Sequence, residues 1–336
     1  MQQIKLSICF YPTTIVLVDD NKEYLKQIML RFSGREKFAC LSYDNPQKAL
    51  EFLTIEYKAD PFINRCFQKI EDSPTDHVDV SLNVRAIHQE IYNPFRFNQV
   101  SILIIDYAMP GINGLELCRQ LKGTSIKIIM LTGEAGKDLA VEAFNEGSID
   151  KFILKNTPDL MGILVHTIRE LQMSYFLNFS ERALNKIAHF SANTLVCLDD
   201  PIFISFFHQL CEEKQIREYY LMDDLGSFLM LDADGNPHWL AVANDEMMDT
   251  YYEFAEGDNA PQSMVQALKN KQMIPYFYTE SDFQMRPQKW QPYLHPASIL
   301  EGKERYYYAF IENSTTYAFP SKKILSYEQF LKKIEN

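Results

Sequence analysis

Short apolar segments alternate with helix-like segments over the first half of this 336-residue chain. One of them, Val100–Ile105, is almost wholly apolar, as expected of a strand buried on both faces of a parallel sheet. The apolar segments predict strands at Ile15–Val18, Phe38–Tyr43, Val100–Ile105, Lys127–Leu131 and Phe152–Leu154. Helical spacing follows each strand, beginning near Asn21, Pro46, Gly114, Lys137 and Pro158. Strict alternation of this kind predicts a doubly wound α/β domain with a five-stranded parallel sheet.

The interval between Leu53 and Val100 is too long for a simple loop from a helix to a strand. It contains the helix and strand breakers Asp60-Pro61, Ser73-Pro74 and Asn93-Pro94. We interpret residues 54–99 as an insertion after the second helix. In a parallel sheet this connection lies at the amino ends of the strands, away from the carboxyl edge that binds ligands. The insertion is either a tolerated addition or a docking surface.

The helix that begins near Pro158 is expected to continue beyond the α/β domain. No Gly or Pro occurs between Ile163 and Asp200, so one long helix or two abutting helices could link the two halves of the chain. The apolar stripe of this segment could pack in a core or form a coiled coil. We therefore expect an α/β domain over 1–172, a linker helix over 173–190 and a further domain over 191–336.

The second half has a different pattern, which predicts an α+β domain. A strand at Asn193–Leu198 and a helix at Ile202–Lys214 are expected first. Asp- and Gly-rich turns then join the strands of a predicted antiparallel meander, at Glu218–Met222, Ser227–Leu231 and Trp239–Val242. The remaining segments predict helices at Asp245–Ala255, Pro261–Lys271 and Tyr327–Ile334, and strands at Pro275–Thr279 and Tyr306–Ile311.

Composition indicates an ordinary globular protein in the cytoplasm. No run of about 18 apolar residues, the length that spans a bilayer, is present. The chain has 6 cysteines without a C-x-x-C pair, so we expect reduced thiols. The net charge of −12 lies mainly in the second half, where 12 Lys and Arg face 22 Asp and Glu from Ser191 onward. A domain that grips DNA phosphates should be basic, and this one is acidic.

Acidic and polar residues follow the predicted strands of the first half. Asp19 and Asp20 come after the first strand, Asp106 after the third, Thr132 after the fourth and Lys155 after the fifth. The carboxyl ends of neighbouring parallel strands meet at one edge, where doubly wound folds bind ligands. Three carboxylates so close together need compensation. A hard divalent cation with oxygen ligands, such as Mg²⁺, would supply it.

Four motifs in this order and spacing resemble the receiver domains of two-component response regulators. They are Leu17-Val18-Asp19-Asp20, the eleven residues from Ile104 to Gly114 (IIDYAMPGING), Met130-Leu131-Thr132-Gly133 and Phe152-Ile153-Leu154-Lys155. The resemblance covers about half of the chain. It implies a flavodoxin-like receiver over residues 1–172 and a sensor histidine kinase as a partner.

The resemblance also implies a phosphoacceptor and a metal site. Asp106 matches the nucleophile that attacks phosphohistidine and becomes an aspartyl phosphate. Asp20 and Asp106, with the backbone carbonyl of Ala108, match direct ligands of Mg²⁺. Asp19 matches a ligand that acts through a water molecule. No other cofactor is implied.

Thr132, Lys155 and Phe152 complete the implied set. Lys155 and the hydroxyl of Thr132 would contact the phosphoryl oxygens. Phe152 matches the aromatic switch position, although a plain core aromatic is the simpler alternative. The family usually has Pro directly after the Lys, and this chain has Asn156. We expect a trans bond there, because a cis bond before Asn would cost about 2.5–4 kcal/mol.

The second half carries no helix-turn-helix pattern and no cyclase, phosphodiesterase, kinase or phosphatase signature. Asp232–Asn236 resembles the start of a calcium loop, but Gly235 comes too early and a hairpin turn is the simpler interpretation. Tyr306-Tyr307-Tyr308 could stack on nucleic-acid bases, or it could pack in a core. We expect no enzyme activity beyond the receiver's own phosphorylation and dephosphorylation.

A receiver with a long insertion, joined to an output domain without a helix-turn-helix, is similar to the response regulators of α-hydroxyketone quorum sensing. That resemblance implies a membrane sensor kinase, homodimer formation on phosphorylation and no membrane association of the regulator itself. Three hypotheses remain for the output domain. It could be a protein-interaction module, a nucleotide- or RNA/DNA-binding module, or an enzyme on a small molecule. Only Lys322-Lys323 and Lys332-Lys333 are basic clusters that could serve nucleic acid.

Overall fold

The computed structural model describes residues 5–55, 62, 65–69, 80–133, 137–185, 195–278, 280–286, 290–312 and 324–334. The strands in these ranges are β1 (Cys9–Phe10), β2 (Thr14–Val18), β3 (Cys40–Tyr43), β4 (Phe67–Lys69), β5 (Val80–Leu82), β6 (Val100–Asp106), β7 (Lys127–Thr132), β8 (Lys151–Leu154), β9 (Ile216–Leu221), β10 (Phe228–Asp232), β11 (Pro237–Ala243), β12 (Met273–Pro275), β13 (Leu294–Pro296), β14 (Ser298–Glu301) and β15 (Arg305–Ile311). The α-helices are α1 (Lys22–Arg31), α2 (Pro46–Ile55), α3 (Val84–Gln89), α4 (Gly114–Gln120), α5 (Lys137–Asn145), α6 (Leu160–Asn185), α7 (Pro201–Glu213), α8 (Asp245–Gly257), α9 (Gln262–Lys269), α10 (Glu280–Met285) and α11 (Tyr327–Ile334).

Packing groups the chain into two compact units, and neither unit is one continuous segment. The α/β unit comprises Tyr11–Phe67, Asn93–Asn185 and Tyr327–Asn336. The α+β unit comprises Met1–Phe10, Gln68–Tyr92 and Lys186–Ser326. This grouping differs from the expected division into 1–172, 173–190 and 191–336 at both ends of the chain and inside the insertion.

The α/β unit is built on a five-stranded sheet in the order β3-β2-β6-β7-β8, and its neighbouring strands are all parallel. Every residue of β2 and β6 is buried, because apolar side chains cover both faces of the sheet. Alternate residues of β2 enter different clusters: Val16 and Val18 join one, and Ile15 and Leu17 join the other. The predicted doubly wound sheet is confirmed, with strand ends within two residues of the predicted ones.

Helix α6 runs without a break, so the alternative of two abutting helices is wrong over Leu160–Asn185. Its large apolar side chains are buried in the α/β unit rather than exposed as a coiled-coil seam. Tyr175, Phe176 and Phe179 are each 1% exposed. The ring of Phe179 stacks on that of Phe62, with 5.1 Å between centroids. The apolar stripe of α6 is therefore core packing.

The carboxyl-terminal helix α11 packs in the α/β unit. The ring of Phe330 contacts that of Phe97 with 5.3 Å between centroids. The backbone N–H of Ala39 donates to the hydroxyl of Tyr327 at 2.8 Å. The helix itself was predicted at its observed bounds, but sequence pattern alone could not assign it to this unit.

The insertion meets the α/β sheet at the amino end of its strands, as predicted. The hydroxyl of Thr14, at the start of β2, donates to the carbonyl of Phe97 at 2.7 Å. Within the α+β unit, α3 contacts β9, and Ile87 on α3 is fully buried. This described part of the insertion therefore contributes to packing. The predicted breakers at Asp60-Pro61 and Ser73-Pro74 lie outside the described residues.

The α+β unit has an antiparallel sheet in the order β1-β9-β10-β11-β15-β14. The order includes the predicted meander β9-β10-β11. Strand β1 was not predicted, because its two residues carry no pattern and pair with Tyr219 and Tyr220 far along the chain. The predicted strand Asn193–Leu198 is wrong in its described part, where Val196–Asp199 forms a 3₁₀ helix. Strand β12 ends at Pro275, where the predicted strand was to begin.

Two motifs of this unit, Asp232–Asn236 and Tyr306-Tyr307-Tyr308, allowed either a binding role or a role in the fold, and the contacts of both fit a role in the fold. The carboxylate of Asp232 accepts the backbone N–H groups of Asp234 and Asn236, both at 2.9 Å, which closes the hairpin between β10 and β11. Tyr306 and Tyr307 are buried, as expected of core aromatics. Among the described residues, no helix is both long enough and apolar enough to cross a membrane.

Candidate functional site

The predicted site residues meet at the carboxyl edge of the parallel sheet. Asp106 is the last residue of β6, and Asp19 directly follows β2. Thr132 ends β7 and pairs with Leu154, the residue before Lys155. Parallel pairing in register thus places all four strand ends at one level of the sheet.

A single lysine connects two of the carboxylates. The Nζ atom of Lys155 lies 2.7 Å from Oδ2 of Asp19 and 2.9 Å from Oδ2 of Asp106. Carboxylate oxygens of Asp19, Asp20 and Asp106 lie within 4.8 Å of one another. Asp19 and Asp106 are buried, at 3% and 7% exposure, whereas Asp20 is exposed. Three negative charges therefore face one positive charge.

Burial and the contacts between these side chains shift the pKa values of Asp106 and Lys155. Burial raises the pKa of Asp106, and the ammonium of Lys155 offsets only part of that effect. Burial alone would lower the pKa of Lys155, but hydrogen bonds and charge from Asp19 and Asp106 together raise it. Lys155 is consequently held as a cation beside the carboxylate of Asp106.

The segment after β2 places Tyr24 beside Lys155, a contact that the sequence motifs did not predict. The backbone N–H of Asn21 donates to Asp19 at 2.8 Å, and the Asn21 side chain caps α1. This cap directs the ring of Tyr24 under Lys155, whose Nζ lies 4.7 Å from the ring centroid. The buried hydroxyl of Tyr24 has no hydrogen-bond partner among the described residues. Its place on the first turn of α1 was the only available signal.

The loop after Asp106 needs glycine at position 114. A Cβ atom there would lie 2.1 Å from the backbone oxygen of Asp106, which is far closer than atoms can approach. The N–H of Gly114 donates to the carbonyl of Tyr107 at 3.0 Å. The side chain of Asn113 then caps α4 by accepting the N–H of Glu116 at 2.8 Å. These contacts fix the end of β6 and hence the position of Asp106.

The remaining predicted residues lie on β7, on β8 and in the loop after β6. The hydroxyl of Thr132 is buried and donates to the carbonyl of Gly133 at 3.0 Å. Phe152 is half-buried against one of the two apolar clusters. Ala108 is exposed in the loop after β6. No described peptide bond is cis, so the bond before Asn156 is trans as expected.

A family model identifies the same region. The response regulator receiver domain matches residues 75–164, which include Asp106, Thr132 and Lys155. The match begins after Asp19 and Asp20, which the insertion separates from the rest of the motif set in sequence. The parallel sheet brings them back to the edge where Asp106 lies.

Curated relatives are similar to part of the chain. The transcriptional regulatory protein GlnL of Bacillus subtilis is 30% identical over 97 residues, which are 28% of this chain and 31% of GlnL. The phosphate regulon transcriptional regulatory protein PhoB of Rhizobium meliloti is 30% identical over 138 residues, which are 36% of this chain and 60% of PhoB. The chain thus spans about a third to three fifths of the length of these relatives.

One solved structure is similar over nearly the whole chain. The response regulator LqsR of Legionella pneumophila superimposes with a TM-score of 0.79 and 35% sequence identity. The match covers 99% of this chain and 97% of LqsR, so it extends over both units. With the receiver-domain match and the five-stranded parallel sheet, this likeness shows that the chain belongs to the response regulators of two-component systems, with a receiver domain.

Proposed function

We propose that Asp106 accepts a phosphoryl group from a sensor histidine kinase. The observation that carries this proposal is the bridge of Lys155, whose ammonium contacts the carboxylates of Asp19 and Asp106 at the sheet edge. A nucleophilic carboxylate needs a fixed position and a neighbouring cation to tolerate the incoming negative charge. Both conditions are met at Asp106.

The proposed transfer uses the residues in distinct ways. An oxygen of the Asp106 carboxylate attacks phosphorus, the P–N bond of the kinase phosphohistidine breaks, and the imidazole leaves with the bonding electrons. Lys155 stays close to the transferred group and neutralises charge on its equatorial oxygens. The hydroxyl of Thr132 would exchange its bond to Gly133 for one to a phosphoryl oxygen.

The donor set at this edge fits Mg²⁺. It consists of oxygen atoms from Asp19, Asp20 and Asp106, and the backbone carbonyl of Ala108, two residues after Asp106, would be a further donor. Hard cations prefer such ligands. When bound, the ion would neutralise the phosphoryl group and the carboxylates that surround it. Asp20, being exposed, leaves an open side through which the phosphoryl donor can approach.

We further propose that Phe152 is the switch residue and that phosphorylation promotes a homodimer. Phe152 is half-buried and pairs with Met130, two residues before Thr132, so a movement of the end of β7 would change the space available to it. Helix α5 offers apolar side chains to a second copy on one of its sides, since Val141 and Phe144, three residues apart, are 39% and 47% exposed. Unchanged light-scattering mass after phosphorylation would contradict the dimer.

The α+β unit is proposed to signal through protein contacts, in quorum sensing. The link to quorum sensing rests on the similarity to LqsR alone. The acidic second half disfavours ordinary promoter binding, because DNA phosphates would be repelled. The alternative of a nucleic-acid-binding output depended on Lys322-Lys323, which lies outside the described residues, and on Lys332-Lys333. A complex with RNA or DNA whose affinity falls steeply with salt would support that alternative instead.

The proposal is tested with acetyl phosphate and Mg²⁺ as the phosphoryl donor and ion. Wild-type protein should acquire a phosphoryl group that hydroxylamine removes, and Asp106→Asn should not. Asp150→Asn is the matched control, because Asp150 directly precedes β8 and contacts Ile128 near the start of β7, at the amino edge of the sheet opposite to Asp106. A hydroxylamine-labile phosphoryl group on Asp106→Asn would overturn the assignment.

A further inference from the structure

A cavity of about 560 Å³ lies inside the α+β unit. Residues of β11, α8, β12 and α10 contribute to its walls. Its volume falls within the range of small-molecule sites, roughly 300–1,000 Å³. The cavity is independent of the carboxylate cluster at the edge of the parallel sheet, because every lining residue belongs to the α+β unit.

Aromatic rings form much of the cavity wall. The six that contribute are Tyr251, Phe254, Tyr276, Phe277, Tyr278 and Phe283. The rings contact one another as well as the cavity: the centroids of Tyr276 and Tyr278 are 5.3 Å apart, and those of Phe254 and Phe283 are 5.7 Å apart. Aromatic faces carry partial negative charge, so a wall of this kind favours apolar groups and cations.

One carboxylate, that of Asp223, lines this aromatic cavity. The hydrogen bonds it accepts from described residues reach a single oxygen, Oδ1, from the backbone N–H groups of Leu225 at 3.0 Å and Ser227 at 2.9 Å. The hydroxyl of Ser227 accepts the N–H of Val242 at 3.0 Å, and the Ser227 side chain also offsets, by hydrogen bonding, part of the rise that burial causes in the pKa of the Asp223 carboxyl group. No described backbone N–H donates to the second oxygen, Oδ2, so this is the oxygen that a ligand in the cavity could contact.

The position of Asp223 is fixed by the turn between β9 and β10. Gly226 in this turn has a φ of +99°, and a Cβ atom there would lie 2.5 Å from Sγ of Cys197. The turn is thus held against the core on one side, while its carboxylate lines the cavity on the other. A group held in this way is preorganised for binding, which lowers the entropic cost of association.

The carboxylate of Asp223 is half-buried beside the cavity. Burial raises the pKa of its carboxyl group, and it also raises the pKa of Tyr251, with a smaller contribution from the charge of Asp223. No Lys or Arg is among the described residues that line the cavity. Asp223 is half-buried, so its carboxylate has lost part of its hydration, and a cationic ligand would compensate for that loss.

We propose that this cavity binds a small organic amine, whose ammonium group pairs with Oδ2 of Asp223 while its apolar body lies against the aromatic wall. The carboxylate makes the cavity prefer cationic over neutral or anionic ligands. The aromatic rings bind the apolar part of the ligand. Anionic ligands such as nucleotides are repelled by the same carboxylate. The inference goes beyond phosphoryl transfer at Asp106 and does not depend on it.

The test uses three probes that share a phenyl ring on a two-carbon chain and differ in their terminal group: 2-phenylethylamine, 2-phenylethanol and phenylacetate. Each probe is added to the whole 336-residue protein. Binding is followed by ¹H–¹⁵N NMR at the amides of Leu225 and Ser227, which donate to Asp223. The amine should shift these amides and bind more tightly than the alcohol, by about tenfold. Phenylacetate should not bind. Equal affinity of amine and alcohol, or no binding of the amine, would overturn the proposal.

Three variants separate the role of the carboxylate from that of the cavity. Asp223→Asn keeps an oxygen for the two backbone N–H groups, and it should abolish the preference for amine over alcohol. Asp224→Asn is the matched control, because Asp224 is exposed and does not line the cavity. Thr250→Leu narrows the cavity from the side of α8 and should weaken the amine and the alcohol equally. An amine preference that survives in Asp223→Asn contradicts the proposed ion pair.

Discussion

Replacement of Asp200 by alanine should destabilise the α+β unit by about 4 kcal/mol. Asp200 has 0% exposure, and its carboxylate ties together two distant parts of this unit. Its Oδ1 atom accepts the N–H groups of Ile202 at 2.9 Å and Phe203 at 3.5 Å, in the first turn of α7. Its Oδ2 atom accepts the N–H of Lys303 and, at 3.0 Å, the hydroxyl of Tyr306.

The magnitude follows from these contacts. Loss of the helix cap costs about 1 kcal/mol. A hydrogen bond to a charged acceptor contributes about 1.5–3 kcal/mol, and the buried hydroxyl of Tyr306 would lose one. The bond from Lys303 adds less, because water can reach that exposed residue and replace it. Asp200→Asn keeps the Oδ1 acceptor and should cost about half as much as Asp200→Ala.

Urea unfolding followed by tryptophan fluorescence isolates this effect. The chain has 2 tryptophans, and both Trp239 and Trp290 lie in the α+β unit. The control is Asp199→Ala, since the side chain of Asp199 forms no hydrogen bond with a described residue; it should change stability by less than about 0.5 kcal/mol. A loss below about 1 kcal/mol for Asp200→Ala would refute the reasoning.

The carboxyl group of Asp200 should also make the stability of the α+β unit depend on pH. Burial alone would raise the pKa of Asp200, but hydrogen bonds from Lys303, Ile202 and Tyr306 hold it below its usual value. A depressed pKa in the folded state means that the stabilisation is complete above the unfolded-state pKa, about 3.9, and is lost as the pH falls through the folded-state pKa. The stability difference between wild type and Asp200→Ala should therefore be constant from about pH 5 to pH 8 and shrink below about pH 4. A difference that grows on acidification would contradict this sign.

Three further predictions concern the phosphoacceptor site and one turn. Lys155→Gln should slow phosphorylation by acetyl phosphate about 10²–10³-fold, because it removes a preorganised cation, with an unchanged circular dichroism spectrum; a normal rate would count against its role. Chelation with EDTA should stop phosphorylation and added Mg²⁺ should restore it, whereas full activity in EDTA would exclude the proposed metal site. Gly226→Ala should destabilise the α+β unit by roughly 2–4 kcal/mol in the same urea assay, since its Cβ would lie 2.5 Å from Sγ of Cys197 at a φ of +99°. Wild-type stability in that variant would show that the turn can relax.

The parallel sheet and the proximity of the three carboxylates could be predicted, because both follow from short-range pattern and topology. The β6 strand is apolar over its whole length, and the order of a doubly wound sheet then places its carboxyl end beside that of β2. Strand order alone therefore predicts that Asp19 and Asp106 lie close together, as they do in the structure. Tyr24 was not, because its contact with Lys155 depends on how the cap at Asn21 directs the first turn of α1.

What the sequence could not predict depends on long-range packing. Cys9–Phe10 is too short to carry a strand pattern, and its partners are in β9. The apolar segment Val196–Leu198 predicts a strand, but the left-handed backbone of Leu195, with a φ of 63°, starts a 3₁₀ helix instead. Helix α11 was correctly predicted as a helix, but its contacts with Phe97 and Ala39, which place it in the α/β unit, leave no sign in the sequence pattern.

The chemical position of the phosphoryl group tests the central claim most directly. After incubation with acetyl phosphate and Mg²⁺, borohydride reduces an aspartyl phosphate to homoserine, and peptide mass spectrometry locates the changed residue. The proposed site predicts homoserine at position 106 and at no other aspartate. Homoserine at position 19 or 20, or phosphoprotein without any reduced aspartate, would contradict the assignment of Asp106 as the phosphoacceptor.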